Sequence, residues 1–244
     1  MQSFPYTFEH LGNGLRLCIS QEHTFGTDAF LLAHFSAPRQ ENLVCDLGSG
    51  CGILPLLWLG KIENTPRAVY ALELQPQGVA QMTISLRENS LEGRFFPLEG
   101  DLCQLDRLKG TLPFGHFDLV TCNPPYYLSG SGLPASNVSR QTARQEISCT
   151  LEDVCQAARK LLRFGGRFCL CHRPERLPDL LTALRSAKLE PKRLRFVHQR
   201  ASSPPWLVLA EGRLGGKPSL QVESPLIIEA SNSVFSREIQ EIYR

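Results

Sequence analysis

Short apolar runs alternate with longer runs of helical periodicity from Leu43 onward. The apolar runs are continuous, which is typical of strands that are covered on both faces. This alternation predicts an α/β fold with a parallel sheet and helices on both faces. The predicted strands are residues 43–47, 69–74, 95–98, 118–123, 167–172, 194–198 and 206–211, and the predicted helices are residues 53–59, 76–88, 151–162 and 174–188.

A hairpin and a short helix are predicted before the first sheet strand. Gly12-Asn13-Gly14 tolerates the positive φ of a tight turn, and Thr27 or Asp28 can cap a helix that ends before Pro38. The predicted hairpin strands are residues 6–10 and 15–19, and the predicted helix is residues 29–35. We therefore expect an N-terminal segment followed by one compact domain. These two units are residues 1–41 and residues 42–244.

The composition is that of a globular chain of ordinary polarity. The 244 residues are 42% hydrophobic and 20% charged, so a substantial core can form. No apolar run approaches the ~18 residues of a membrane span, and the first residues do not form a secretion signal, so we expect a cytoplasmic protein. The nine cysteines are odd in number, with no Cys-x-x-Cys pair and no His or Cys cluster at ligand spacing, which predicts reduced thiols and no metal site.

A glycine-rich turn follows the first predicted sheet strand. The sequence Asp46-Leu47-Gly48-Ser49-Gly50-Cys51-Gly52 leads into a helix, where glycines let a ligand approach the backbone and free N–H groups are available. Glu73 ends the next strand, where a carboxylate can accept hydrogen bonds from two ribose hydroxyls. Ile53 stands where a dinucleotide fingerprint has a third small residue, so a pyrophosphate is disfavoured. The pattern predicts a nucleotide-like ligand.

Asn123-Pro124-Pro125-Tyr126 ends a later strand at the edge where ligands bind in such sheets. The prolines force a rigid, extended bend, so the Asn123 side chain and the Pro124 carbonyl can both accept hydrogen bonds from a planar amine. Tyr126 can stack on the planar group. Residues 127–149 are polar without periodicity, which is typical of a functional loop. The segment therefore predicts a site that makes the nitrogen of a planar substrate more nucleophilic by accepting hydrogen bonds from both of its N–H groups.

The glycine loop resembles that of class I S-adenosylmethionine-dependent methyltransferases. The whole chain resembles the bacterial tRNA1(Val) (adenine-N6)-methyltransferase family, although Gln145 stands where that family has a histidine. Matching segments include residues 23–32, 46–52, 73–76, 100–101, 123–126, 143–146, 149–154, 172–177, 190–198, 211–213, 215–218 and 242–243. The resemblance implies a Rossmann-like class I fold with a mostly parallel, seven-stranded sheet. It also implies that the N-terminal segment covers the cofactor.

The resemblance further implies roles for individual residues. Asp46 would orient the loop and the methionine end of S-adenosylmethionine, Glu73 would hold its ribose, and Asp101 would accept from its adenine amine. The full set of implied cofactor contacts is Thr27, Asp28, Asp46, Gly48, Gly50, Gly52, Glu73, Leu74, Asp101, Leu102 and Asn123. The implied catalytic residues are Asn123, Pro124 and Tyr126.

The charge is unevenly distributed. The net charge of +2 comes from −4 over residues 1–150, +8 over residues 151–217 and −2 over residues 218–244. A concentrated basic segment can contact the phosphates of a tRNA substrate. The RNA-binding candidates are Arg140, Arg144, Lys192, Arg193 and Arg195. A solvated helix face accounts for some of the other basic residues equally well.

Three functions remain open at this point. The first is N6-methylation of a tRNA adenine, with an anticodon-loop adenine of a valine tRNA as the specific form. The second is methylation of a glutamine amide in a release factor or of another RNA or DNA base, since the same four-residue motif serves all planar nitrogens. The third is a non-catalytic methyltransferase-like module that binds RNA or supports a partner enzyme. No obligate protein partner is expected.

Overall fold

The predicted elements are present in the computed structural model, which describes residues 6–20, 24–60, 65–124, 149–231 and 234–243. An antiparallel hairpin comes first, with its strands joined through a single 3-10 turn. A helix follows and leads into the sheet region. The three elements are β1 (Thr7–His10), β2 (Arg16–Ile19) and α1 (Thr27–Ser36).

One large sheet with helices on both faces follows. Its main strands are β3 (Leu43–Leu47), β4 (Ala68–Glu73), β5 (Phe95–Glu99), β6 (Phe117–Cys122), β7 (Leu162–His172), β8 (Leu189–His198) and β9 (Pro205–Leu214). The helices between and after them are α2 (Ile53–Leu59), α3 (Pro76–Glu88), α4 (Leu151–Leu161), α5 (Leu177–Ser186) and α6 (Arg237–Ile242). The short strands are β10 (Gln221–Val222), β11 (Leu226–Ile227), β12 (Glu229–Ser231) and β13 (Val234–Phe235).

The strand order is β5-β4-β3-β6-β7-β9-β8, with β10 and β11 both paired to the outer edge of β8. Strands β3 to β7 are parallel, and β9 runs antiparallel to both of its neighbours. This is a Rossmann-like arrangement, as expected. The order reverses between β3 and β6, and the carboxyl ends of the strands at such a reversal form a ligand crevice.

Apolar side chains fill both sides of this sheet, as the continuous strand patterns predicted. One layer contains α1, α2 and α3, and the other contains α4 and α5. Trp58 is fully buried in the first layer and donates from Nε1 to the Ala33 carbonyl at 3.0 Å. That bond fixes α2 against α1, because an indole N–H without a partner would be costly at this depth.

The hairpin is attached to α3 through polar contacts. The Cys18 backbone N–H donates to Ser85 Oγ at 2.9 Å, and Gln81 Nε2 donates to the Cys18 carbonyl at 3.2 Å. Asn89 exchanges two hydrogen bonds with the Arg16 backbone. These contacts satisfy edge groups of β2 and hold the N-terminal segment beside the helix that borders the glycine loop.

Three sheet strands are several residues longer than predicted. Strand β9 extends to Leu214, three residues beyond its predicted end. Strand β7 begins at Leu162, directly after α4, because Gly165 at φ +78 and a register shift opposite β6 carry the chain into the sheet. Strand β8 begins at Leu189, after Lys188 turns the chain at φ +60. In the portion of the chain that the structure describes, no helix combines the length and the apolarity needed to cross a membrane.

Candidate active site

The predicted site residues lie at the carboxyl ends of four neighbouring strands, at one edge of the sheet. Asp46 lies in β3, Glu73 ends β4, and Asp101 follows β5. Asn123 follows β6 directly. Because these strands are parallel neighbours, their carboxyl ends form one continuous rim.

The glycine loop presents its backbone to open space. Gly48, Gly50 and Gly52 have φ values of +66, +57 and +85, which side-chain-bearing residues rarely adopt. The N–H groups of Gly48 and Ser49 both donate to the Leu72 carbonyl, at 2.9 and 3.1 Å, and so tie the loop to β4. A Cβ at Gly48 or Gly50 would meet no atom within 4 Å. The loop therefore borders a space that a ligand can enter.

Asp46 is a buried carboxylate held by two hydroxyls. Thr121 Oγ1 donates to it at 2.6 Å and Ser49 Oγ at 2.7 Å. Burial raises the pKa of Asp46 from 3.8 to about 6, the two hydroxyl hydrogen bonds oppose this rise, and the charge of Glu73 adds to it. Ser49 and Thr121 were not among the predicted site residues, because each is a single hydroxyl with no sequence pattern of its own.

Glu73 organises the loop through its own carboxylate. Its Oε2 accepts from the Gly50 N–H and its Oε1 from the Gln75 N–H, both at 2.8 Å. Each carboxylate oxygen can accept a further hydrogen bond. The glutamate thus bridges the glycine loop and the start of α3, and its side chain borders the crevice.

Gly78 is a site residue that the sequence did not reveal. It lies inside α3, where glycine lowers helix stability relative to alanine. A Cβ there would lie 2.8 Å from the Gly50 carbonyl oxygen and 2.9 Å from Glu73 Cγ. Glycine is therefore required at this position for α3 to approach the loop.

The next strand end carries a second acidic side chain. Asp101 accepts from the Cys103 N–H and from Gln104 Nε2, both at 2.8 Å, and so caps the 3-10 helix Leu102–Leu108. Leu74, directly after β4, is 47% exposed and so is accessible at the rim. The exposed leucine lies two residues after Leu72, the partner of the glycine loop.

Asn123 is oriented by a residue 95 positions earlier. Its Nδ2 donates to Asp28 Oδ2 at 3.0 Å, while the other Asp28 oxygen accepts from the Ala29 N–H at 3.0 Å. The Asn123 side-chain oxygen Oδ1 therefore points away from Asp28, and Cys171 Sγ donates to it at 3.1 Å. Asp28 thus joins the start of α1 to the end of β6, which is a contact the sequence did not indicate.

The other predicted catalytic and covering residues are placed as follows. Pro124 is half-buried, and Tyr126 lies outside the described residues. Thr27, at the start of α1, has its hydroxyl 3.3 Å from that of Tyr243, which packs on Phe30 at 4.7 Å between ring centroids. The C-terminal segment therefore supports the end of α1 that carries Asp28.

The predicted RNA-binding arginines have partners within the chain. Arg193 donates to Glu211 Oε2 at 2.8 Å, to Glu223 Oε1 at 3.0 Å and to the Phe35 carbonyl at 2.9 Å. Arg195 forms a two-point pair with Glu238 at 2.7 and 2.8 Å. Their guanidinium groups thus hold β8 to neighbouring elements.

Lys192, a third candidate for RNA contact, also has partners within the chain, among them the Lys217 carbonyl. Lys192 is partly exposed and donates to Ser219 Oγ at 2.6 Å. Arg140 and Arg144 lie outside the described residues. That these residues bind RNA stays a prediction.

This arrangement of glycine loop, strand-end acids and Asn123 was compared with known proteins. The model of the methyltransferase small domain family matches residues 20–182, which includes every strand end of the rim. The chain belongs to this methyltransferase family. The fold agrees: a predicted O-methyltransferase from Agrobacterium tumefaciens superposes with a TM-score of 0.71 at 23% identity, covering 89% of this chain and 95% of that one.

Other relatives of this methyltransferase have named substrates. The tRNA1(Val) (adenine(37)-N6)-methyltransferase of Tolumonas auensis is 26% identical over 87% of this chain and 85% of its own. The protein of the same name from Histophilus somni is 27% identical over 88% and 86%. The structure of Methanocaldococcus jannaschii Trm5 with adenosine has a TM-score of 0.60 at 14% identity, and covers 88% of this chain and 57% of its own.

Proposed function

We propose that this methyltransferase transfers a methyl group from S-adenosylmethionine to N6 of an adenine in tRNA. The observation that carries the proposal is the Asn123 amide, which Asp28 holds at the end of β6 with its carbonyl oxygen turned away from the carboxylate. Oδ1 also accepts from Cys171 Sγ at 3.1 Å and has a second lone pair, so the fixed amide can offer an acceptor, rather than a donor, to an incoming amine. The names of the relatives support tRNA as the substrate class, and the specific form is an anticodon-loop adenine of a valine tRNA.

The residues at the rim fit S-adenosylmethionine. The open space beside Gly48 and Gly50 leaves room for a ligand against the backbone, and Glu73 has acceptor capacity for ribose hydroxyls. Asp101 and Leu102 would hold the adenine edge, Leu74 would cover one adenine face, and Asp46 would orient the methionine end. We also propose that residues 1–41 form the covering segment for this site, next to the domain of residues 42–244.

When bound, S-adenosylmethionine supplies a methyl group on a positively charged sulfur. The lone pair of an adenine N6 is delocalised into the ring and is a weak nucleophile. Asn123 Oδ1 and the Pro124 carbonyl would accept from the two N6 hydrogens and hold the amine in a pyramidal geometry directed at the methyl carbon. The N6 proton becomes acidic once the new bond forms, so it can leave to water without a dedicated base.

A tRNA adenine in a loop can leave its stack at limited cost, so a flipped base is a suitable substrate for this edge. Tyr126 would stack on that base. The phosphate contacts would come from Arg140, Arg144 and Lys192, whereas Arg193 and Arg195 would have to exchange their carboxylate partners for phosphates to take part.

The test uses radiolabelled S-adenosylmethionine with total bacterial tRNA, followed by digestion to nucleosides. N6-methyladenosine is the expected labelled product, and Asn123→Ala is expected to abolish its formation while S-adenosylhomocysteine still binds in calorimetry. Thr111→Ala, which changes an exposed hydroxyl before the amino end of β6 and so at the sheet edge opposite the rim, is the control and should methylate normally. Label found only in protein, or full turnover by Asn123→Ala, would overturn the proposal.

A further inference from the structure

Two cysteines and one aspartate meet beside the adenine end of the proposed cofactor site. The side-chain ligand atoms of Cys103, Cys149 and Asp153 all lie within 4.8 Å of one another. They come from three separate places: the 3-10 helix after β5, the residue before the N-cap of α4, and the first turn of α4. The sequence spacing gave no metal motif because the fold alone brings these residues together.

These two thiols differ from the rest of the cysteines. None of the nine cysteines forms a disulfide, and the other seven are buried. Cys103 is exposed and Cys149 is half-exposed, so the two accessible thiols of this chain are neighbours. Buried thiols act as small apolar groups, whereas accessible paired thiols are available as ligands for a soft metal ion.

Asp153 is already oriented as a ligand of this kind requires. Its Oδ2 accepts from the Thr150 backbone N–H at 2.9 Å and from Thr150 Oγ1 at 2.7 Å, in the capping box of α4. Outer hydrogen bonds that fix a ligating carboxylate are typical of metal sites. Because Oδ2 accepts both of these hydrogen bonds, Oδ1 keeps more of its acceptor capacity for a cation.

A divalent cation would bind both sulfurs as thiolates, with release of the thiol protons, together with the Asp153 carboxylate.

We propose that Cys103, Cys149 and Asp153 form a binding site for a thiophilic divalent cation of the Zn²⁺ type, with water completing the coordination. In a tetrahedral site with Zn–S bonds of about 2.3 Å, ligand atoms are about 3.8 Å apart, so small side-chain rotations suffice. The cation ties the Asp101 loop to the N-terminus of α4, since the Cys103 N–H donates to Asp101.

The test measures cation binding on the full chain and uses no activity. Zn²⁺ competition against a fluorescent chelator should give one site per chain, and Co²⁺ should produce thiolate-to-metal charge-transfer absorption. A thiol reagent should modify two cysteines, and Zn²⁺ should protect both. Cys103→Ser and Cys149→Ser should each weaken Zn²⁺ binding at least about tenfold and abolish the Co²⁺ band.

Two aspartate variants complete the design. Asp153→Asn keeps an oxygen acceptor for the capping box but loses the charge, so it should weaken Zn²⁺ binding about tenfold with an unchanged fold. Asp106→Asn removes an exposed carboxylate of the 3-10 helix that carries Cys103; this carboxylate pairs with Lys109 and Lys160, and the variant should bind Zn²⁺ normally. Unchanged Zn²⁺ affinity in Cys103→Ser, or a Cys103–Cys149 disulfide in place of bound metal, would overturn the proposal.

Discussion

The buried Asp46 carboxylate should leave a signature in the pH dependence of stability. Its pKa is about 6 in the folded chain, against 3.8 without the surrounding structure, with burial as the largest cause. Between these values the folded chain binds one more proton than the unfolded chain, so the free energy of unfolding falls as the pH rises. The full loss corresponds to about 3 kcal/mol, and about 1 kcal/mol of it falls between about pH 5 and about pH 8.

Asp46→Asn isolates this contribution. The amide can accept from one hydroxyl and donate to the other, because the hydroxyls of Ser49 and Thr121 can rotate. The variant has no charge to bury, so its stability should not contain this pH-dependent loss. Relative to the variant, the wild-type protein should therefore lose about 1 kcal/mol from about pH 5 to about pH 8.

Urea unfolding of both proteins, followed by circular dichroism across this pH range, measures the difference directly. Taking the difference cancels the titration of every group that the two proteins share. A wild-type minus variant stability that is constant with pH, or that increases with pH, would refute the assignment of a raised pKa to Asp46.

Three further predictions concern the loop, the arginine network and the catalytic amide. Gly78→Ala should weaken S-adenosylhomocysteine binding by about 1–3 kcal/mol in calorimetry, because the new methyl displaces the glycine loop, whereas the exposed Ala80→Gly should not. Arg193→Met should lower the urea-unfolding free energy by about 2–4 kcal/mol, and the neighbouring Lys192→Met by less than about 1 kcal/mol. Asp28→Ala should lower kcat by about tenfold to a hundredfold with little change in the cofactor KM, and Asp28→Asn should recover part of the loss.

Each of these has a result that would count against it. Normal cofactor affinity in Gly78→Ala would mean that α3 can move away from the loop without cost. Equal stability of the Arg193 and Lys192 variants would mean that the ion pairs of Arg193 are solvated. A rise in cofactor KM with unchanged kcat in Asp28→Ala would assign that carboxylate to cofactor binding rather than to the orientation of the amide.

The sequence predicted the parallel part of the fold well, because its local signals are strong there. Helices α2 and α3 have the predicted bounds: Gly52 precedes the first, and Pro76 is a preferred first residue of the second. Strand β3 is also as predicted, since its five residues are all buried. The predicted start of β8 was wrong by five residues, because the left-handed conformation of Lys188 has no recognisable signal in the sequence.

The candidate site could be predicted only where it is local. The glycine loop and the strand-end acids are each visible within a few residues, and the parallel sheet brings them together. The role of Gly78 was hidden, because a glycine in a helix looks like a simple loss of propensity. The contact between Asp28 and Asn123 and the cluster around Cys103 join residues far apart in sequence, so only the folded chain reveals them.

The hydrogen bond from Asn123 to Asp28 has an entropic consequence. A free asparagine side chain must give up its rotamer freedom when it meets a substrate, and this loss opposes binding. Asn123 has already lost that rotamer freedom on folding, so neither substrate binding nor methyl transfer has to offset the entropy cost of ordering its side chain. The loss of rate in Asp28→Ala should therefore appear mainly as a less favourable activation entropy in the temperature dependence of kcat.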